Sequence, residues 1–315
     1  MGIVLSGSGT DGTLGIRAIK EAGGVAFVQS PEEAEYDHMP RSALATGLVD
    51  LSLPVQKLAE RLIEYRDSAG VVQLPDDESR LDEEEQNVLQ RIFTRLYSDA
   101  GHDFSGYKRS TVLRRLERRM QIHSVTSLDA YLHLLREEED EVQALKKDLL
   151  ITVTNFFRDP EAFKALAERV LPDIFEQKGP ADQVRVWVPG CATGEEAYSL
   201  AMLLIEQADQ VENPPDLQVF ATDVEDEALQ FGREGLYPDT IEADVTHDRL
   251  DRFFHLEENY YRVGPKLREV VLFAEHDVLT DPPFSTLDLV SCRNLLIYLR
   301  QEMQQHVLRV IHYAL

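Results

Sequence analysis

Pro189-Gly190-Cys191-Ala192-Thr193-Gly194-Glu195-Glu196 follows a short apolar run at 184–188 and opens a helical pattern. Gly190 and Gly194 let backbone approach a ligand closely, and a helix N-terminus offers unpaired amides, so strand, turn and helix together seat a nucleotide-like cofactor. The spacing is not Gly-x-Gly-x-x-Gly, and no Lys-Ser/Thr follows as in a phosphate loop, which argues against a dinucleotide or a triphosphate. Asp223 ends the next strand-like run, where a carboxylate accepts hydrogen bonds from both hydroxyls of a ribose. Asn213-Pro214-Pro215-Asp216 lengthens the intervening loop and sets Asp223 farther downstream than usual. Blander readings fit the same residues. Thr193 and Glu196 have the Thr-x-x-Glu spacing of a capping box, and aspartate is common in turns.

The elements that must position these residues are visible in the pattern. Over 151–315, strand-like runs at 184–188, 217–221, 270–273 and 287–291 alternate with a helical segment at 195–208, which predicts an α/β, doubly wound sheet of mainly parallel strands. Tyr260-Tyr261-Arg262-Val263 and Val270-Val271-Leu272 predict a small antiparallel excursion. Residues 86–150 place Val88, Leu89, Ile92, Phe93 and Leu96, then Val112, Leu113, Leu116 and Met120, at helical spacing, which predicts a small all-helical domain. Residues 1–65 read as a partial α/β unit: Ile3-Val4-Leu5, a glycine turn, a helix at 13–22, a strand at 25–28 and a closing helix at 54–65. Between them, 66–85 holds Gly70, Pro75 and a cluster of Asp and Glu, and reads as a solvated acidic linker.

Composition bounds the function. The 315 residues carry 57 acidic and 32 basic side chains, a net charge of −25, which repels nucleic acid and anionic membrane. No apolar run is long enough to span a membrane and no leader follows Met1, so a cytoplasmic protein without membrane insertion is expected. Cys191 and Cys292 lie far apart and without ligand spacing, so neither a disulfide framework nor a metal site is expected.

Four motifs in order carry a resemblance: Ile151-Thr152-Val153-Thr154-Asn155-Phe156-Phe157-Arg158, Gly190-Cys191-Ala192-Thr193-Gly194-Glu195-Glu196, Phe220-Ala221-Thr222-Asp223 and Ser291-Cys292-Arg293-Asn294-Leu295-Leu296-Ile297-Tyr298. Together they closely resemble the chemotaxis receptor methyltransferases (CheR). The resemblance implies an S-adenosyl-L-methionine-binding α/β domain behind a small helical domain, methylation of glutamate side chains on glutamate-rich chemoreceptor helices, and S-adenosyl-L-homocysteine as product. Carried over by position, it puts Thr152, Thr154 and Arg158 along the active site and cofactor pocket. Gly190 falls in the cofactor turn, with Glu196 and Asp223 on the methionine and ribose portions and Asp277 and Val278 on the adenine side. Cys292 and Arg293 close the pocket, and Tyr298 stands near the transferred methyl. Thr152 departs from members that carry Asn there. An ion pair of Arg158 with Asp159 or Glu161 is the structural alternative to its active-site role.

Gly7-Ser8-Gly9-Thr10-Asp11-Gly12 matches Gly-x-Gly-x-x-Gly after a strand, with Glu32 or Glu33 about twenty residues on. With Glu35-Tyr36-Asp37-His38-Met39-Pro40-Arg41-Ser42-Ala43 and Thr46-Gly47-Leu48-Val49-Asp50, however, it resembles the end of the chemotaxis receptor methylesterases (CheB) rather than a dinucleotide site. Asp11 then matches the aspartate of a Ser-His-Asp triad, whose serine and histidine would lie before Met1; His38 stands where that family usually has glycine. The chain thus reads as an internal piece of an esterase-methyltransferase hybrid, with the methyltransferase sheet continuing beyond Leu315. A non-catalytic signalling module that keeps the fold and binds receptors is the alternative; retention of Arg158, Glu196, Asp223 and Tyr298 favours the enzyme.

Within 108–119, six cations accompany a single Glu117. At about 100° per residue, Val112, Leu113, Leu116 and Met120 share one face, which predicts that Arg114, Arg115, Arg118 and Arg119 point outward as a docking surface for acidic receptor helices. A solvated helix is the plainer reading. For the esterase-like segment the chemistry is sharper: Asp11 without serine and histidine forms no acyl intermediate. Incubated with a glutamyl methyl ester, this chain is expected to release no methanol above a buffer blank; hydrolysis that vanishes in Asp11→Asn would contradict it.

Overall fold

Short parallel strands form where β-branched and aromatic residues bury both faces, and the central strand of the first sheet shows this on a small scale. The structure is a computed structural model describing residues 1–69, 71–150 and 153–315. In it, β1 (Gly2–Val4), β2 (Ala26–Gln29) and β3 (Leu51–Leu53) pair in parallel in that order. Helix α1 (Thr13–Glu21) links the first two and α2 (His38–Ala45) precedes the third. Val4, Ile16, Ala26, Val28 and Ala43 fill one side of this sheet. Val25 and Phe27 fill the other, against Leu58 of α3 (Val55–Ala69) and Ile122. Glu33, the dinucleotide-like acid, is spent locally, accepting from Val55 N at 2.7 Å.

Ile122 belongs to the helical part of the chain: α4 (Glu83–Ala100), α5 (Arg109–Ile122), α6 (Leu128–Glu137) and α7 (Glu139–Leu150). Helix α4 starts at a full capping box, Asp82 with Glu85. Met1–Ile151, with Tyr298–Arg300, form one compact unit; Thr152–Ile297, with Gln301–Leu315, form the second. The acidic stretch expected to be a solvated linker keeps Asp76, Asp77, Asp82, Glu83 and Glu84 exposed, but it does not run free. Val72 and Leu81 are buried, Leu74 N donates to Glu117 Oε2 at 2.9 Å, and Glu78 pairs with Arg109 at 2.6 Å, so the stretch is fastened along α5.

The outward arginine face is corrected. Arg115, Arg118 and Arg119 are only 5%, 4% and 5% exposed, and Arg114 alone of the four is exposed. Helix α5 is covered on both sides, by α7 and by the esterase-like segment with α3, and carboxylates from both pair with Arg118 and Arg119. Glu141 of α7 accepts from Arg119 Nε at 2.9 Å, from Arg119 Nη2, from the Tyr131 hydroxyl at 2.5 Å and pairs with His123 Nε2 at 2.7 Å.

In the second unit, β10 (Leu289–Val290), β4 (Gln183–Pro189), β5 (Asp216–Asp223) and β9 (Val271–Glu275) form a parallel sheet in that order. Its core side packs Val184, Val186, Val188, Val219, Ala221, Val271 and Phe273 against α10 (Glu195–Ala208) and neighbouring helices, including α8 (Pro160–Ala165) and α9 (Leu171–Glu176). Helices α11 (Asp226–Glu234), α12 (His247–Phe253) and α13 (Pro265–Val270) connect the later strands, and α14 (Gln301–Ala314) ends the chain described. On the sheet's other side the Trp187 indole donates to Thr222 Oγ1 at 2.9 Å, beneath His276 and Phe284. A separate antiparallel sheet orders β6 (Leu236–Pro238), β8 (Tyr260–Val263) and β7 (Phe254–Glu257). Tyr260–Val263 is antiparallel as expected, but Val270 ends α13 and Val271-Leu272 joins the parallel sheet, because Val271 and Phe273 turn inward in register with Val219 and Ala221.

Burial pushes the Glu141 carboxyl up, but the hydrogen bonds from His123 and Arg119 and the Arg119 charge outweigh it and hold it at about 2, against an ordinary 4.5. A depressed carboxyl contributes stability that is complete above about pH 4.5 and is lost as pH falls through about 2; here that is about 3 kcal/mol. In urea titrations across this range, Glu141→Gln is expected to lower stability at neutral pH by about 3 to 5 kcal/mol and to shrink the acid-induced loss by about 3 kcal/mol.

Candidate functional site

The strand order reverses at β4: the chain runs outward from β4 through β5 to β9, then returns to the opposite side of β4 as β10. Crevices for ligands open at such reversals, beyond the carboxyl ends of the strands. Gly190, Glu196 and Asp223 lie at these ends of β4 and β5, and Arg293 and Arg158 adjoin Glu196.

After β4 the chain turns sharply, with positive φ at Gly190, Ala192 (47°) and Gly194 (96°). A side chain at 194 would also meet Phe273 Cζ at 2.8 Å and the Tyr237 hydroxyl at 3.2 Å. Asp223, buried at the end of β5, holds this turn: its Oδ2 accepts from Ala192 N at 2.8 Å and its Oδ1 from Glu225 N at 3.0 Å. Cys191 N donates to Thr222 O at 2.9 Å, and the Tyr237 hydroxyl donates to Thr193 O at 2.6 Å.

The capping-box alternative for Glu196 fails. Gly194 is the N-cap of α10 without any side-chain hydrogen bond, and Thr193 Oγ1 donates instead to Glu195 Oε2 at 2.6 Å. Glu196 turns the other way. Its Oε1 accepts from Ser291 Oγ, just past β10, at 2.6 Å, and its Oε2 lies 3.6 Å from Arg293 Nη1. Burial pushes the Glu196 carboxyl above its ordinary value, against the opposing pull of Ser291, Arg293 and Arg158.

Arg293 donates to the Arg158 carbonyl at 2.7 Å and pairs with Asp159 at 2.6 Å, joining the segment before α8 to the one after β10. Arg158 itself donates to Val153 O at 3.0 Å. The segment is pinned from behind, since Phe157 N donates to Ser199 Oγ of α10 at 3.0 Å. Of the seven non-glycine residues with positive φ among those described, four lie in these three segments: Phe157, Asp159, Ala192 and Asn294. Such strain concentrates where surrounding structure fixes a site.

Asp277 Oδ1 accepts from Leu279 N at 2.9 Å in the turn after β9, with Val278 buried beside it. Cys292 is half-buried, its thiol pushed up to about 11 by burial and by Glu196. Thr154 is half-buried, and Thr152 lies outside the described residues. Tyr298 is part of the first unit, where its carbonyl accepts from Lys108 N at 2.8 Å. Asp11 is exposed in the turn before α1. Ser291, Ser199 and the Ala192 amide hold the site, yet the sequence assigned none of them a role, although Ser291 and Ala192 lie in its motifs: a serine or a peptide N–H has no signature until its partner is known.

Residues 152–315 match the family model described as CheR methyltransferase, SAM binding domain. The chain belongs to the CheR methyltransferase family. Residues 87–150 match the CheR methyltransferase all-alpha domain, and residues 1–62 the CheB methylesterase model. An uncharacterized 104.1 kDa protein of Rhodobacter capsulatus is 41% identical across 99% of this chain, which spans 35% of that protein's length. A chemotaxis protein methyltransferase of Escherichia coli (strain K12) is 34% identical over 70% of the chain and 77% of its own length, and one of Listeria monocytogenes 31% over 67% and 78%. The Asp223 turn and the Glu196–Ser291 bond thus lie within the CheR SAM-binding domain. Among the described residues no helix is long and apolar enough to cross a membrane.

Gly194→Ala is expected to lower stability by about 1 to 3 kcal/mol, since it places a Cβ in left-handed backbone and against Phe273. Gly15→Ala, in open space on α1, should leave it unchanged or raised; urea midpoints for the two variants compare them directly.

Proposed function

We propose that this chain transfers a methyl group from S-adenosylmethionine to glutamate side chains on chemoreceptor helices. The observation that carries the reading is the Ser291–Glu196 hydrogen bond, which spans the strand-order reversal, with a half-buried Glu196 after β4 and a buried Asp223 at the end of β5.

The donor set fits that cofactor. Asp223 stands at the end of β5, where a carboxylate can accept from both hydroxyls of a ribose. Glu196 offers its second oxygen to the amino-acid portion, with Arg158 on the same side. Asp277 and Val278, after β9, take the adenine side; Cys292 and Arg293 close the pocket, and Thr154 lines it. When bound, the cofactor supplies a methyl on a sulfonium, and displacement by a carboxylate oxygen gives the ester and S-adenosylhomocysteine.

The protein's residues then have a modest task. A glutamate of pKa about 4.3 is already ionised at neutral pH, so no general base is required. Positioning dominates. Arg158, tethered through Val153 O, orients an incoming carboxylate, and its segment is held by Arg293 and Ser199. Charge is neutralised as the anion meets the cation, so exclusion of water lowers the barrier. Chemotaxis methyltransferases of Escherichia coli and Listeria monocytogenes among the relatives support a chemoreceptor as the acceptor. The esterase-like segment contributes Asp11 to no step of this transfer.

Calorimetric titration of S-adenosylhomocysteine should show binding that Asp223→Ala weakens by about 1 to 3 kcal/mol, because two hydroxyls lose their partner. NAD should not compete. Equal affinity in wild type and variant would remove Asp223 from the site.

A further inference from the structure

Asp50 ends the Thr46-Gly47-Leu48-Val49-Asp50 motif, and neither the methyl transfer nor an esterase triad uses it. It sits just before β3 with its side chain 2% exposed. One oxygen accepts from Ala26 N in β2 at 2.8 Å. The other pairs with Lys20 of α1 at 3.0 Å and with Arg118 of α5. Asp148 of α7 closes a ring, 2.8 Å from Arg118 Nη1 and 3.5 Å from Lys20 Nζ.

Two cations and two carboxylates balance, so the buried ring is neutral. Its membership is divided. Lys20 and Asp50 come from the part matching CheB methylesterase, Arg118 and Asp148 from the part matching the CheR all-alpha domain. The pairs Arg118–Asp50 and Lys20–Asp148 therefore cross from one family module to the other. Apolar packing continues the junction, with Ile122 of α5 against Val25, Phe27 and Leu58, and the Ser68 hydroxyl donating to Gln121 O at 3.0 Å. Burial raises the Asp148 carboxyl, but Arg118 and Lys20 hold it below its ordinary value.

We propose that Asp50 is an internal acidic ligand for α5, fastening the esterase-like segment to the helical domain so that the two open and close as one body. The partner of the buried part of α5 is then this chain's own amino-terminal segment. A change imposed on either module is transmitted to the other, and such coupling is reciprocal. Cooperative opening of joined elements is read by amide exchange.

Hydrogen–deuterium exchange on the full chain tests this in both directions. Asp50→Asn, which keeps an acceptor for Ala26 N, is expected to raise exchange about tenfold in α5 and α7 as well as in β2 and β3. Arg118→Met should raise it in β2 and β3 as well as in α5. Asp37→Asn, which removes the exposed pair with Arg41, should change neither region. Effects of Asp50→Asn confined to residues 1–62, effects of Arg118→Met confined to 87–150, or equal loosening by Asp37→Asn would each overturn the proposal. Should Asp50→Asn fail to fold, Lys20→Met is read by the same criteria.

Discussion

Asp223 accepts two backbone amides, and one of them belongs to the turn of the neighbouring strand. That single carboxylate fixes where Gly190 to Gly194 can run, and the turn in turn decides where α10 starts and where Glu196 points. Asp223 accepts from two amides, and Glu196 accepts from a serine hydroxyl with Arg293 3.6 Å away, so each carboxylate is held by partners that also fix the chain around it.

Much of this site was legible because strand ends and glycine turns have strong signatures. Asp223 and Glu196 could be singled out from their positions after apolar runs, and the parallel sheet from the alternation of those runs. Choosing between a ligand-facing and a capping Glu196 required Ser291, 95 positions away, and no local pattern reports such a partner. Val270-Val271-Leu272 allowed two readings, a strand of the parallel sheet and an antiparallel excursion, because three β-branched or apolar residues announce a strand without saying which sheet receives it. Only the register with β5 decides that.

The arginines of α5 show the limit of a helical wheel. Periodicity says which side chains share a face, not how many faces of the helix are covered. Reading four arginines as solvent-facing assumes that charge stays in water, and in a chain with 57 acidic residues that assumption is weak, because carboxylates are available to follow a cation inside. Asp50, Asp148 and Glu141 did so, from elements 68, 30 and 22 residues distant from their arginines. The acidic stretch before α4 obeys the same logic, since Glu78 and the amide of Leu74 found partners on α5.

The two thiols have a chemical consequence of their own. Cys191 lies buried beneath Asp223 and Glu195, its thiol pushed well above the ordinary range, and Cys292 stands at about 11 beside Glu196. At neutral pH the ionised fraction of Cys292 is roughly one in ten thousand, and only the ionised form is a good nucleophile. A crevice suited to an electrophilic methyl donor is thus flanked by sulfur that is held unreactive. Burial first, and the neighbouring carboxylates second, keep both thiols protonated, which leaves the two cysteines poor nucleophiles and poor targets for oxidants.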